Sequence, residues 1–174
     1  MRVANAIWGP RKYARWRDYD SNVPSHGLSD AIQDYLKEIY KLAAAGERAT
    51  TSAIAGRLGV AAPSATSMVK KLAALELVEH APYRGVELTD AGRQIAVEVI
   101  RHHRLLEQYL AETLGLPVDA VHAEADRLEH VLSEELEARI DKALGFPTHD
   151  PHGDPIPDAE LNWRGESNGE GDDR

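Results

Sequence analysis

Residues 49–78 read ATTSAIAGRLGVAAPSATSMVKKLAALELV, and this stretch decides the fold. Thr50 or Thr51 suits the N-cap of a short helix through Leu58, because a hydroxyl accepts from the unpaired N–H groups of a first turn. Gly59 permits a sharp turn, and Ala55 four residues earlier lets a second helix pack closely. Pro63 suits the first turn of that second helix, since it lacks an N–H and has its φ preset. Ala65, Met68 or Val69, Leu72 and Leu75 form its buried stripe. The other face offers Ser64, Thr66, Ser67, Lys70 and Lys71. Short hydroxyls near the N-terminus with lysines behind suit a helix entering the major groove. A helical hairpin with a solvated face is the plainer alternative, and the flanking segments favour the DNA reading.

On the C-terminal side, residues 77–80 and 86–88 are short strand candidates around Pro82, Tyr83, Arg84 and Gly85. They read as a β-hairpin. A hairpin directly after a recognition helix is a wing, and Arg84 at its tip is expected on phosphate or in the minor groove. On the N-terminal side, Ser29 suits the N-cap of a helix whose stripe is Ile32, Leu36, Ile39 and Ala43, widened by Tyr35 and Leu42. Gly46 ends it, and Asp34 sits at the margin of the stripe.

Thr89 caps a longer helix over about residues 91–114, broken by Gly115 and Pro117. Another is expected over about residues 118–131, and Ser133 with Glu134 and Glu135 starts a final one carrying Leu136, Ile140 and Leu144. Residues three or four apart share a helix face. His103 and Glu107 therefore pair on one helix, and His122, Asp126, Glu129 and His130 form a polar row on the next. Six oxygen and nitrogen donors on adjacent helices suit a divalent ion, although a solvated polar face is the bland alternative. None of these donors carries sulfur, and the chain has no cysteine. The hard oxygens favour Mn(II) or Fe(II) over Cu(I) or a thiolate zinc site.

The chain has 174 residues and a formal charge of -9. That charge is unevenly spread: residues 1–104 balance at +4 and residues 105–174 at -13. One end suits phosphate, and the other carries acid for metal or solubility. No apolar run reaches membrane-span length, and the basic, aromatic N-terminus lacks a signal-peptide core, so a cytoplasmic protein with no membrane partner is expected.

The order of helix, helix-turn-helix, wing and ligand-bearing helices resembles the diphtheria-toxin-repressor-like family of metal-dependent transcriptional regulators, which includes iron-type and manganese-type members. The resemblance is carried by DYLKEIY (residues 34–40), the helix-turn-helix, HHRLLEQYL (102–110), VHAEADRLEHVLSEELE (121–137) and DPHGDPIP (150–157), within residues 28–157. It implies a homodimeric repressor of metal-homeostasis genes that binds operator DNA with two metal ions per subunit. Asp34 matches a first-helix ligand, Met in iron-type and Asp in manganese-type members. Asp126 matches a Cys or Glu ligand, Glu129 and His130 the Glu-His pair, and His103, Glu107 and His122 the second site of iron-type members. Lys37 stands where manganese-type relatives have a Glu ligand and iron-type relatives a basic residue. Many relatives continue into a small β-barrel, which the 17 residues after Pro157 are not expected to hold.

The expected fold is mostly α: a winged helix-turn-helix with a small hairpin wing, then an all-α metal-binding dimerisation domain. Residues 1–27 are expected to be a flexible arm, 28–90 the DNA-binding domain, 91–157 the metal-binding and dimerisation domain, and 158–174 a disordered tail. Without metal, Asp34, Glu107, Asp126 and Glu129 would bring a formal -4 together, and the expectation is a loosely placed recognition helix. A winged-helix sensor of a small organic ligand competes with this reading. A metallohydrolase ranks last, because no water-activating arrangement is recognisable beyond the ligands and no catalytic residue is assigned.

Overall fold

The computed structural model describes residues 28–81 and 85–163. The N-terminal arm with Trp8, Tyr13 and Trp16, the wing-tip Arg84 and residues 164–174 lie outside the described residues. The described elements are α1 (Asp30–Ala44), α2 (Thr51–Leu58), α3 (Ala62–Ala74), β1 (Val78–Ala81), β2 (Gly85–Leu88), α4 (Asp90–Glu112), α5 (Val118–Leu128) and α6 (Glu134–Ala143).

The expected caps recur with one difference. Thr50 Oγ1 accepts from Ala53 N at 3.1 Å, and Ser133 Oγ accepts from Leu136 N at 3.3 Å. Thr89 Oγ1 accepts from Gly92 N and donates to Glu76 O, tying the start of α4 to the chain two residues before β1. Ser29 stands at the N-cap of α1, but its backbone oxygen serves Ile32 N and Gln33 N while its hydroxyl makes no capping bond.

Ile32, Tyr35, Leu36, Ile39 and Leu42 of α1 pack with Ile54, Ala65, Val69, Leu72, Leu77 and Val86 in one core. That core joins α1, the α2–α3 pair and the hairpin into a winged helix-turn-helix. The strands are antiparallel, with Val78 opposite Leu88 and Glu79 opposite Glu87. Val86 N also donates to Ala49 O, so the wing is bonded to the segment before α2. Gly85 has φ +96, and a Cβ there would stand 2.8 Å from Ala49 O. Gly92 admits an equally close approach, since a Cβ would fall 2.0 Å from Leu77 O.

A second, smaller core gathers Leu106, Ala125, Leu132 and Ile140 from α4, α5, the following turn and α6. Beneath it, Arg101 is buried with its guanidinium donating to Glu137, Asp141 and the backbone oxygen of Pro157. A buried charge needs such pairing, and only Asp141 Oδ1 is left without a partner among the described buried side-chain atoms. The bonds fasten the segment after α6 to the long helix α4.

The disordered tail expected from residue 158 is corrected for its first part. Asp158 Oδ1 accepts from Glu160 N and Asn162 N, a local turn that period-based reading does not register. Trp163 then stacks on Tyr40 of α1 with ring centroids 6.0 Å apart, under the Arg104 guanidinium. Among the described residues no helix is long and apolar enough to cross a membrane.

Candidate metal centre

The centre lies where α1 faces α4 and α5. Helical periodicity gives α1 a second face: beside the apolar stripe stand Gln33, Asp34 and Lys37, with Gln33 and Lys37 one turn apart. α4 presents His103 and Glu107 at the same spacing, and α5 presents His122 and Asp126. α5 ends at Leu128, three residues before the expected end, so Glu129 and His130 lie in the turn that follows it. His102 Nδ1 lies 3.1 Å from Glu129 O and holds that turn against α4.

His103, Glu107 and His122 come together tightly. His103 Nε2 is 3.1 Å from Glu107 Oε1 and 3.0 Å from His122 Nδ1, and His122 Nδ1 is 3.0 Å from Glu107 Oε1. A cation bonded to three donors at about 2.1 Å, with right angles between the bonds, needs donors about 3.0 Å apart. The triangle therefore matches one face of a six-coordinate ion. The other nitrogen, His103 Nδ1, is 2.6 Å from Glu129 Oε2. Donation from a histidine's second nitrogen to a carboxylate is the usual way a metal-binding ring is oriented.

A second group joins α1 to the turn after α5. His130 Nε2 is 3.1 Å from Asp34 Oδ1 and 3.4 Å from Glu129 Oε1. Gln33 Oε1 lies 3.0 Å from His130 Nδ1 and accepts its proton, leaving Nε2 free to bond. A third group, His103, Asp126 and Glu129, shares members with both. Every candidate ligand named from the sequence thus falls in one of three touching groups.

The electrostatics differ from the expected uncompensated -4. Lys37 is buried, with Nζ 2.5 Å from Glu129 Oε1 and 3.2 Å from Asp126 Oδ1. Burial pushes its pKa down, but the charge and hydrogen bond of Glu129, then those of Asp126, outweigh this and hold it above the ordinary value. Burial likewise opposes a charged His103, yet its bonds to Glu107 and Glu129 raise it to about 9. Burial would raise Glu107, but His103, then His122 and His152, bring it down to about 2. The bond to Asp34 raises His130 against the effect of burial. The cluster is therefore a network of paired charges, and α1 is docked on α5 through ion pairs of its own side chains.

Two residues escaped the sequence reading. Asp150 and His152 lie beside Glu107, with His152 Nδ1 3.6 Å from Glu107 Oε2. Asp150 Oδ1 accepts from His152 N and Asp154 N, which folds the loop. An Asp followed two residues later by His, inside a Pro- and Gly-bearing turn, was the available signal. The proposed DNA-facing residues Ser64, Thr66, Ser67, Lys70 and Lys71 all lie exposed on α3, apart from this centre.

Known proteins share both halves of this arrangement. Residues 27–86 match the iron-dependent repressor N-terminal DNA-binding domain, and residues 89–158 match the iron-dependent repressor metal-binding and dimerisation domain. The chain belongs to the iron-dependent repressor family. Within that family, it is 42% identical over 130 residues to the iron-dependent repressor IdeR of Mycobacterium tuberculosis, covering 75% of this chain and 56% of that protein. A manganese-dependent transcriptional repressor solved in complex with manganese is 47% identical, with a TM-score of 0.68 over 76% of this chain and 61% of that one. The hypothetical protein SSo2273 from Sulfolobus solfataricus is 28% identical with a TM-score of 0.62, and 99% of its length is covered. The chain thus spans little more than half of the curated repressors it matches, yet nearly the whole of the Sulfolobus relative.

Proposed function

We propose that this chain is a metal-activated transcriptional repressor, a homodimer that binds operator DNA of metal-homeostasis genes when it holds Mn(II) or Fe(II), two ions per subunit. The observation that carries this reading is the division of α1. One face belongs to the core of the DNA-reading unit, and the other places Asp34 3.1 Å from His130 Nε2 of the metal-bearing unit. A divalent ion supplies the charge that bonds carboxylates and imidazoles from several elements at once. Asp34, Glu129 and His130 would hold one ion, and His103, Glu107 and His122 the other, with Asp126 between them. Gln33 and Glu129 orient the histidine rings toward these positions.

Residues 28–90 form the DNA-binding unit in this reading, and residues 91–157 the metal-binding and dimerisation platform. Ser64, Thr66 and Ser67 face base edges, while Lys70, Lys71 and Arg84 meet phosphates. Leu114, Val118, Leu128, Val131 and Leu136 are large apolar residues left exposed on the second half, and a second copy of the chain is their proposed cover. An organic-ligand sensor draws no support from the cavity beside the centre. It measures about 330 Å³ and is lined, Ile100 apart, by charged side chains and histidines.

The test is a DNA-binding assay on the whole chain with Mn(II), Fe(II) under anaerobic conditions, Co(II) and Zn(II), and a chelator control. Operator affinity that rises with Mn(II) or Fe(II) and is abolished by chelation is the expected result. Equal affinity with and without chelator, or activation by Zn(II) alone, overturns it.

A further inference from the structure

Lys37 is not one of the candidate ligands, yet it sits among them. Its side chain is 7% exposed, and that of Glu129 is wholly buried. Its ammonium touches Glu129 Oε1 and Asp126 Oδ1, the two carboxylates of the group completed by His103. One set of donors with metal-ligand composition therefore already carries a positive charge. Glu129 Oε1 is also the oxygen 3.4 Å from His130 Nε2, in the group completed by Asp34. A single oxygen serves both the ammonium and the neighbouring ion position.

We infer that Lys37 is a tethered cation that competes with a divalent ion for Glu129 Oε1, and so sets the ion concentration at which the Asp34–Glu129–His130 group fills. This rests on the reading of the cluster as a metal centre. Two positive charges on one oxygen repel strongly where burial weakens screening. The ammonium has somewhere else to go. Lys37 also lines the cavity of about 330 Å³ whose walls carry the carboxylates of Glu107, Asp150 and Asp154. Its four-carbon stem is flexible and its charge compact, so it can move from one carboxylate to another. Filling the group thus exchanges a bound ammonium for a metal ion. In the metal-free protein the ion pair holds α1 on α5, so the docked arrangement exists before any ion arrives.

The test measures Mn(II) binding by calorimetry on the intact chain, unaltered and as Lys37→Met, Lys37→Gln and Lys37→Arg. Thermal melting of each is followed in chelator and in saturating Mn(II). Met and Gln should each tighten one class of Mn(II) site by about tenfold or more, because removing a like charge at this range exceeds one tenfold step. They should also lower the metal-free melting temperature and widen its gap to the metal-loaded one. Arg, which keeps the charge, should bind Mn(II) much as the unaltered chain does. If Met does not fold, Gln carries the comparison, since its uncharged amide can donate to both carboxylates. Unchanged or weaker Mn(II) binding in a folded Met or Gln variant overturns the inference alone. No Mn(II) uptake by the unaltered protein overturns the metal-centre reading together with it.

Discussion

The two faces of α1 are held by opposite physics. The apolar face buries Ile32, Leu36, Ile39 and Leu42 at 3% exposure or less, and its attraction is non-directional and indifferent to pH or ions. The polar face joins Gln33, Asp34 and Lys37 to His130, Glu129 and Asp126 through bonds that need particular charges at particular atoms. One contact makes α1 a permanent part of the DNA-reading unit. The other joins α1 to α5 and the turn after it through contacts that protons and cations can adjust, while the apolar core also takes in Ala96 of α4. The proposed regulator would need both: a rigid reader, and a joint whose free energy an effector can change.

The largest effect should come from breaking the apolar face. Leu36 is fully buried in the first core. Leu36→Ala should cost about 2–5 kcal/mol, from lost transfer energy and the cavity left behind. Urea denaturation of the metal-free chain measures this. A loss below about 1 kcal/mol would mean that the core around α1 is far looser than the buried residues indicate.

Breaking the polar face should leave the fold and remove the response. Asp34 is 38% exposed at its side chain, so its pair with His130 contributes little to stability by itself. An ion at about 100 times its dissociation constant adds about 2.7 kcal/mol to a folded state that alone binds it. Asp34→Ala should forfeit that increment for its group and lose metal-tightened DNA binding. Its metal-free melting temperature should stay near that of the unaltered chain. Metal and DNA binding are to be measured on one sample, and a variant that still gains full DNA affinity with metal rules Asp34 out as the link between the metal and the DNA-reading unit.

The difference between the faces also explains what the sequence disclosed. The apolar stripe apart from Ala43, which lies exposed, the caps at Thr50, Thr89 and Ser133, and the i,i+4 pair His103–Glu107 are local patterns, so periodicity finds them. The convergence of His103, Glu107 and His122 followed from the family resemblance, and the geometry brings them within 3.1 Å. Lys37 was placed on α1, but the partners that bury it lie 89 and 92 residues away, and no local rule reports such a pairing. Asp150 and His152 hid in a loop whose composition reads as unstructured, because the Asp150 turn replaces regular structure with side-chain-to-backbone bonds.

Changing pH should titrate the ionic cluster that the polar face joins and spare the apolar face. In the metal-free chain His103 is held at about 9 against an ordinary 6.5. The folded state binds that proton more tightly, so the stabilisation is full below 6.5 and fades as pH rises through about 9. Glu107 is held at about 2 against 4.5, so its contribution is full above 4.5 and fades as pH falls through about 2. Denaturation in chelator across this range should show both declines. His103→Gln should flatten the alkaline one, and a variant that keeps it unchanged would place the titrating group elsewhere. Leu36→Ala should shift the whole curve down without altering its shape.

The smallest effect on stability belongs to a residue that touches neither face. Lys71 lies exposed on α3 and among the proposed phosphate contacts. Lys71→Ala should leave melting and Mn(II) binding nearly unchanged, since a surface substitution usually falls within about 0.5 kcal/mol and the Lys71 backbone oxygen that accepts from Leu75 N is kept. Its signature is electrostatic and lies in DNA binding. Each lost phosphate contact should reduce the slope of log affinity against log salt by about 0.9 and weaken all duplexes alike. Ser67→Ala, on the same exposed surface, should instead change preference among sequences with the slope intact. These two variants sharpen the comparison because both keep the metal-dependent gain that Asp34→Ala loses. A Lys71→Ala protein with unaltered salt slope would move the DNA contact off α3.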